Sequence, residues 1–363
     1  MPSDITDYLR QTVALGGSDL HLSPWAPACA RVNGSIVPFN QELLDPSTVR
    51  DLILDTLTET QRAKLEQELE LDYALQVNDV GRFRGNIHIA RGHAEAAFRF
   101  ISQHVPRLED LGHHSPVFDL CNLRGGLVLV TGVTGSGKST TLASMVNRIA
   151  DNRNGVIITL EDPIEFVHQH RSCLIKQREI GTDTQSFPKA LRQALRQDPD
   201  VIVVSELRDL ETIRIALTAA ETGHLVLATL HTPDAPQTID RIVDVFPADQ
   251  QAQIVTQLAG SLEGIISQRL IPSANGKGRV LASEILKPSH AMRNCIRERK
   301  LEQIVGLMEI GFREGNRTID DSINQLLNAG TITREEAIFN SRERKTFEIQ
   351  EHPKEKKQKS IWV

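Results

Sequence analysis

The run Leu127-Val-Leu-Val-Thr131, followed by Gly132-Val-Thr-Gly-Ser-Gly-Lys-Ser139, constrains the fold more than any other part of the chain. Its second half fits G-x-x-x-x-G-K-[ST]. It stands between an apolar strand and a helix in which Leu142, Met145, Val146 and Ile149 recur at helical spacing. In that context the glycines let successive backbone N–H groups turn inward around phosphate oxygens, and the helix N-terminus adds its dipole. The pattern predicts a nucleoside triphosphate cradled by Thr134, Gly135, Ser136, Gly137, Lys138, Ser139 and Thr140. Lys138 would reach the β and γ phosphates, and Ser139 would ligate Mg²⁺.

Three further short apolar runs, Val156–Leu160, Val201–Val204 and Leu225–Leu230, alternate with helical patterns. Runs that are apolar throughout fit parallel strands buried on both faces, with helices as crossovers, which makes this half of the chain α/β. A further helix is expected near 247–270, on the spacing of Ile254, Leu258, Leu262, Ile265 and Leu270. From about 288 the chain reads all-helical, and Thr333-Arg-Glu-Glu336 is a capping-box pattern.

The carboxyl ends of parallel strands carry ligand sites in open sheets. Glu161, Asp162 and Glu165 follow the second run, with Pro163 stopping regular structure. A carboxylate there can align water on a γ-phosphate, although acids at strand ends are also ordinary turn residues. Ser205-Glu206 follows the third run and fits an apolar strand ending in a magnesium-associated acid. His231 ends the fourth run and is placed to sense the γ-phosphate. His224 lies seven residues earlier, at the opposite end of the strand, and no third ligand stands at a spacing suited to zinc. His168-Gln-His170 reads as plain surface.

The first 105 residues differ in texture. A helix over 3–15 with Ser3 as its cap precedes DLHL, then CARV and SIVPF joined by the hairpin signal Asn33-Gly34. A helical stretch at 46–69 precedes the strand-like YALQV, RFRGNIHIA and EAAFRFI, so this region is a small α+β domain. The division expected is 1–105, a linker at 106–115, a core at 116–287 and a helical region at 288–363 whose end, EHPKEKKQKSIWV, is charged and solvated. There is no internal repeat.

Composition narrows the function. The net charge is −6 and aromatics make up 4%, which argues against nucleic acid as a partner. No run approaches the ~20 apolar residues of a membrane span, and the start MPSDITDYLRQ lacks the pattern of a signal peptide. Cys29, Cys121, Cys173 and Cys295 are scattered without a CxxC pair, as suits a reducing cytoplasm.

Taken in order, the P-loop, EDPIEF, Glu206-Leu-Arg-Asp209 and TGHLVLATLHT resemble the secretion ATPase superfamily of type II secretion and type IV pili. Ala291-Met-Arg-Asn-Cys-Ile-Arg-Glu298 is similar to the C-terminal signature of its PilT-like retraction branch, and SDLHL and GRFRGN also fit. The resemblance implies a PAS-like N-terminal domain and a RecA-like P-loop ATPase core assembled as a homohexamer. It implies Mg²⁺-ATP hydrolysis that powers pilus retraction and twitching motility. Partners would be an inner-membrane pilus platform protein and other retraction ATPase paralogues, without direct membrane insertion.

By this resemblance Glu165 activates water, Glu206 holds the metal, and His224 and His231 are the histidine-box residues. Arg84 and Arg99 are the matching phosphate-reaching arginines of the N-terminal domain, with Arg82 and Arg91 as competitors. Arg293, Asn294, Arg297 and Glu298 would form an interaction surface. Two positions depart from the family: Ser205 stands where Gly is usual before the Walker B acid, and Cys295 replaces Leu. Ser205 favours an alternative, an accessory ring with low intrinsic hydrolysis. A RecA-like nucleic-acid translocase is the remaining rival.

Overall fold

The computed structural model describes residues 4–101 and 104–348. Helix α1 (Ile5–Ala14) is capped by Asp4, whose carboxylate accepts from the Thr6 amide at 3.0 Å. The expected cap, Ser3, lies outside the described residues, as does the tail 351–363. Strands β1 (Asp19–Leu22), β2 (Cys29–Val32) and β3 (Ser35–Pro38) follow, the last two joined through Asn33 and Gly34 at φ 51° and 84°. Two positive φ values in succession are what a tight hairpin of this kind requires.

The helical stretch expected over 46–69 consists of two helices, α2 (Pro46–Leu54) and α3 (Glu59–Glu68). Thr58 breaks the run because its side chain caps α3, while the Gln61 side chain returns a bond to the Thr58 amide. Strands β4 (Glu70–Val77), β5 (Gly81–Ala90) and β6 (His93–Ile101) complete an antiparallel sheet of order β3-β2-β1-β6-β5-β4. Leu20, Phe83, Ile87 and Phe98 point from one face into a core shared with Leu9 and Ile53. Strand alternation therefore leaves Arg82, Arg84 and Arg99 on the other face.

The remaining chain alternates strands with helices: α4 (Ser115–Cys121), β7 (Gly126–Thr131), α5 (Lys138–Asn152), β8 (Gly155–Glu161), β9 (Cys173–Glu179), α6 (Phe187–Ala194), β10 (Val201–Val204), α7 (Leu210–Glu221), β11 (Leu225–Leu230), α8 (Ala235–Asp244), α9 (Ala248–Ser261), β12 (Leu262–Pro272) and β13 (Arg279–Leu286). Helices α10 (His290–Arg297), α11 (Ile304–Ile310), α12 (Ile319–Asn328) and α13 (Arg334–Asn340) follow.

The chain packs as two compact units, residues 1–106 with 146–205, and residues 107–145 with 206–363. The first unit holds the antiparallel sheet and a parallel ladder in the order β10-β8-β9. In the second the order is β13-β12-β7-β11, with β11 and β12 both parallel to β7 and β13 antiparallel to β12. Every residue of β7, β10 and β11 is buried, as apolar strands covered on both faces must be.

One expectation fails here. The helix expected to 270 ends at Ser261, and Leu262 opens β12 with an extended ψ of 123°. Leu262, Ile265 and Leu270 matched helical spacing by chance, because Leu262 and Ile265 are buried in a strand that packs on β7. No helix among the described residues is long and apolar enough to cross a membrane.

Candidate active site

In the second unit, fully buried β7 runs into a loop that turns through Gly132, Gly135 and Gly137 at φ 141°, 77° and 89°. Side chains rarely adopt such values, so the glycines set the loop's path. At Gly132 a Cβ would also stand 2.5 Å from the Gln268 carbonyl oxygen. Lys138, in the first turn of α5, folds back onto this loop. Its Nζ donates to the carbonyls of Gly132 at 2.8 Å and Val133 at 3.1 Å. Ser136, buried in the same loop, has a hydroxyl with no partner among the described residues.

Lys138 Nζ also lies 3.4 Å from His231 Nδ1, and His231 Nε2 lies 3.2 Å from Glu206 Oε1. An ammonium can only donate, so Nδ1 accepts and the ring proton sits on Nε2, facing Glu206. Lysine, histidine and glutamate thus form one chain from the P-loop to the Walker B acid. Arg208 holds the other Glu206 oxygen at 2.7 Å. Burial pushes the Glu206 carboxyl up, but the Arg208 hydrogen bond and charge, with the hydrogen bond from His231, outweigh it, so it stays below its ordinary value and ionised.

His224 lies at the opposite end of β11. Its Nδ1 is 3.0 Å from the Ala219 carbonyl oxygen and 3.1 Å from Thr222 Oγ1, so the imidazole closes the C-terminal turn of α7. The same unit explains part of the C-terminal signature. Arg293 donates to the carbonyls of Ala259 and Gly260 at 2.8 and 3.2 Å, and pairs with Glu263 at 3.0 Å. Its guanidinium caps the end of α9, where the helix dipole favours a cation. Arg297 bonds Asn294 of its own helix, and Glu298 pairs with Lys300 at 2.7 Å.

In the first unit, the acids at the end of β8 and in the loop after it separate into different jobs. Glu161 is held inward, accepting from Thr159 Oγ1 at 2.6 Å and Gln177 Nε2 at 3.0 Å. Burial is the main influence and pushes its carboxyl up, against the hydrogen bonds from Thr159, Gln177 and the Glu165 amide. Gln177 also donates to the Phe166 carbonyl at 2.8 Å and accepts from the His168 amide at 2.7 Å. Glu179 accepts from the Ile164 amide at 3.2 Å. The loop is therefore tied at Ile164, Phe166 and His168, while Glu165 itself is exposed. A fixed backbone under a free carboxylate suits a general base.

His168 is not plain surface. Its Nδ1 lies 2.8 Å from Asn147 Oδ1, and its pKa is pushed down to about 4, by burial first and then by Arg171. His170 Nδ1 accepts from the Ile175 amide, so the two rings have separate structural partners.

Arg84 and Arg99 stand directly opposite each other in the β5–β6 register. Arg84 lies 3.6 Å from Asp72, and Arg99 bonds Asp19 at 2.9 Å. Both guanidinium groups therefore stand on the outward face, each with an aspartate as its ion partner. The two competitors are engaged elsewhere: Arg91 lies over the Trp25 ring, and Arg82 pairs with Glu179 at 2.8 Å. Gln177 and Glu179 escaped the sequence reading. Their signal was the strand Cys173–Glu179, masked by its polar second half.

The model of the Type II/IV secretion system protein family matches residues 9–339. The type IV pilus retraction ATPase PilT of Pseudomonas aeruginosa is 47% identical over 334 residues, covering 92% of this chain and 97% of the relative. The type IV pilus ATPase PilU of the same organism is 39% identical over 330 residues, covering 91% and 86%. The crystal structure of the pilus retraction motor PilT with bound ADP aligns at a TM-score of 0.89 and 46% identity, over 94% of this chain and 98% of that one. Matches of this length span both the antiparallel domain and the P-loop core. The chain belongs to the Type II/IV secretion system protein family, as a PilT-like α/β ATPase.

Proposed function

We propose that the chain is a Mg²⁺-ATP hydrolase that drives type IV pilus retraction, as its PilT relative is named for doing. The observation that carries this reading is the chain Lys138–His231–Glu206 at the P-loop. A γ-phosphate would take over Lys138 from the loop carbonyls, and His231, hydrogen-bonded to that lysine, would register the exchange and pass it to Glu206. Glu165 would take the proton of the attacking water, and Arg84 and Arg99 would neutralise charge on the phosphoryl group. His224 would support the site indirectly, by fixing the far end of β11.

The residues present suit magnesium. Ser139 lies in the first turn of α5, Glu206 is ionised, and no cluster of three or more His, Cys, Asp or Glu among the described residues offers a metal cage. An ion that retains waters and takes substrate phosphate oxygens needs no more protein ligands than these. When bound, it would offset the charge on the β and γ phosphates.

In the same proposal six copies form a ring at the cytoplasmic face of the inner membrane. Force passes to a pilus platform protein, and paralogous retraction ATPases act alongside. A second reading, an accessory ring with slow hydrolysis, rests on Ser205, whose amide bonds the Leu160 carbonyl at 2.9 Å just before the Walker B acid.

Steady-state ATP hydrolysis by the full chain, with Glu165→Ala and Ser205→Gly beside it, tests both. The motor reading expects robust turnover that Glu165→Ala lowers by about 10²–10⁴-fold while nucleotide still binds. A nearly silent natural chain that Ser205→Gly restores would replace it with the accessory ring. Persisting turnover in Glu165→Ala would remove Glu165 from the chemistry.

A further inference from the structure

The Glu165 loop is held from two sides. Gln177 fixes it from β9, within the parallel ladder, but the bond beside Glu165 depends on a residue from the antiparallel sheet. Glu179 Oε2 accepts from the Ile164 amide at 3.2 Å and from Arg82 Nη2 at 2.8 Å. The other oxygen of that carboxylate accepts from Thr182 Oγ1 at 3.1 Å, and the Glu179 amide is fixed by Asp183 at 2.8 Å. The Glu179 side chain is only 5% exposed and that of Arg82 only 20%. A carboxylate buried to this degree requires its cation, so the pair is structurally strict where an exposed pair would be slack.

Arg82 and Arg84 are two residues apart on β5 and share the outward face of the sheet. One face therefore carries both an arginine assigned to phosphate and an arginine locked to the catalytic loop. Arg82, bonded to Glu179, does not present its guanidinium to a ligand.

We propose that Arg82 is a positioning residue. Through Glu179 it holds the backbone beside Glu165, so that ATP turnover answers to the placement of β5. The inference rests on the reading of Glu165 as the residue that activates water. If β5 shifts when its neighbouring arginines take or release an anion, the Arg82 guanidinium moves with it. The Ile164 amide then loses its fixed acceptor, and Glu165 loses its aim.

The test uses the full-length protein carrying Arg82→Met, Arg82→Lys, Glu179→Gln and the Arg82→Met/Glu179→Gln pair. Turnover number, nucleotide Kd and hydrogen exchange at the Ile164 amide are measured for each. Arg82→Met should lower kcat by about ten- to a hundredfold, the usual cost of a misplaced catalytic group, with Kd unchanged and exchange at Ile164 faster. Arg82→Lys should recover part of the rate, and the double variant should be no slower than the slower single one. Should Arg82→Met fail to fold, Arg82→Lys and Glu179→Gln carry the same comparison.

Wild-type kcat and exchange in these variants would overturn the inference. So would weakened nucleotide binding at unchanged kcat, which would make Arg82 a phosphate contact. Failure of the Glu165 reading shows separately, as turnover surviving in Glu165→Ala whatever happens to exchange at Ile164.

Discussion

Replacing Arg342 by methionine keeps most of the side chain's volume and removes its charge from a buried cluster. The guanidinium lies 3.0 Å from Glu284 and 3.4 Å from Asp234, and the Arg342 amide bonds Asp320 at 2.7 Å. Glu284 is 1% exposed and its other oxygen accepts from the Ala235 amide at 2.8 Å, at the start of α8. Removing one partner of a buried pair costs about 3–5 kcal/mol. Arg342 is itself 27% exposed, so screening places the loss at the lower end, about 3 kcal/mol. For a unit of about 200 residues that is a fall in Tm of roughly 6–12 °C.

The pH dependence has a definite sign. The Glu284 carboxyl already lies above its ordinary value, chiefly through burial, and Arg342 is the main group opposing that rise. Without Arg342 it rises further. A carboxyl whose folded pKa exceeds its unfolded one binds protons more readily in the native state. Its penalty is therefore absent below the unfolded value and grows as pH rises through the folded one. Thermal unfolding should show a smaller deficit near about pH 5 than near about pH 8. Adding Glu284→Gln, which retains an acceptor for the Ala235 amide, should return more than half of the loss. A deficit under about 1 kcal/mol, one that ignores pH, or one that Glu284→Gln leaves untouched would refute the reasoning.

The other predictions concern packing and protonation. A Cβ at Gly125 would lie 2.6 Å from the Gly223 carbonyl oxygen, so Gly125→Ala should cost about 1–3 kcal/mol in chemical denaturation, because backbone and not a side-chain end must yield. His113 is 3% exposed, within 3.0 Å of Thr141 Oγ1 and 3.1 Å of Gln268 Nε2, and its pKa is pushed down to about 4 by burial and then by the charges of His114 and Arg317. Its folded pKa lies below its unfolded one, so stability should decline as pH falls from about 6.5 towards 4. NMR titration of the imidazole near pH 6.5 would contradict that placement.

The P-loop was legible because its chemistry is local: the glycines, Lys138 and Ser139 are consecutive, and the strand and helix beside them declare themselves by pattern. The apolar runs that became β7, β10 and β11 were legible for the same reason, since strands covered on both faces leave few polar interruptions. Residues 262–272 were not, because their apolar residues satisfy the helical and the extended period alike, and only the neighbour β7 decides between them. At the site, Glu206 and His231 could be placed at strand ends, but not joined to each other or, through His231, to Lys138. Nothing in a linear pattern marks Gln177 and Glu179 as the residues fixing the Glu165 loop, because they act across a strand pair. Likewise, Arg293 looked like part of a surface motif until its partners on α9 were seen.

The cations assigned to phosphate share one property. Arg84 and Arg99 rest on aspartates while 43% and 70% exposed, and Lys138 rests on neutral carbonyl oxygens. The Arg84–Asp72 pair, exposed on both sides, holds about 0–1 kcal/mol, so giving it up for a phosphate is nearly free, whereas Asp19, 8% exposed, holds Arg99 more firmly. A motor that must seize and release its nucleotide repeatedly is better served by a loosely moored cation than by a bare one. The Arg84 mooring keeps that side chain ordered between cycles, yet it sets almost no threshold to either step.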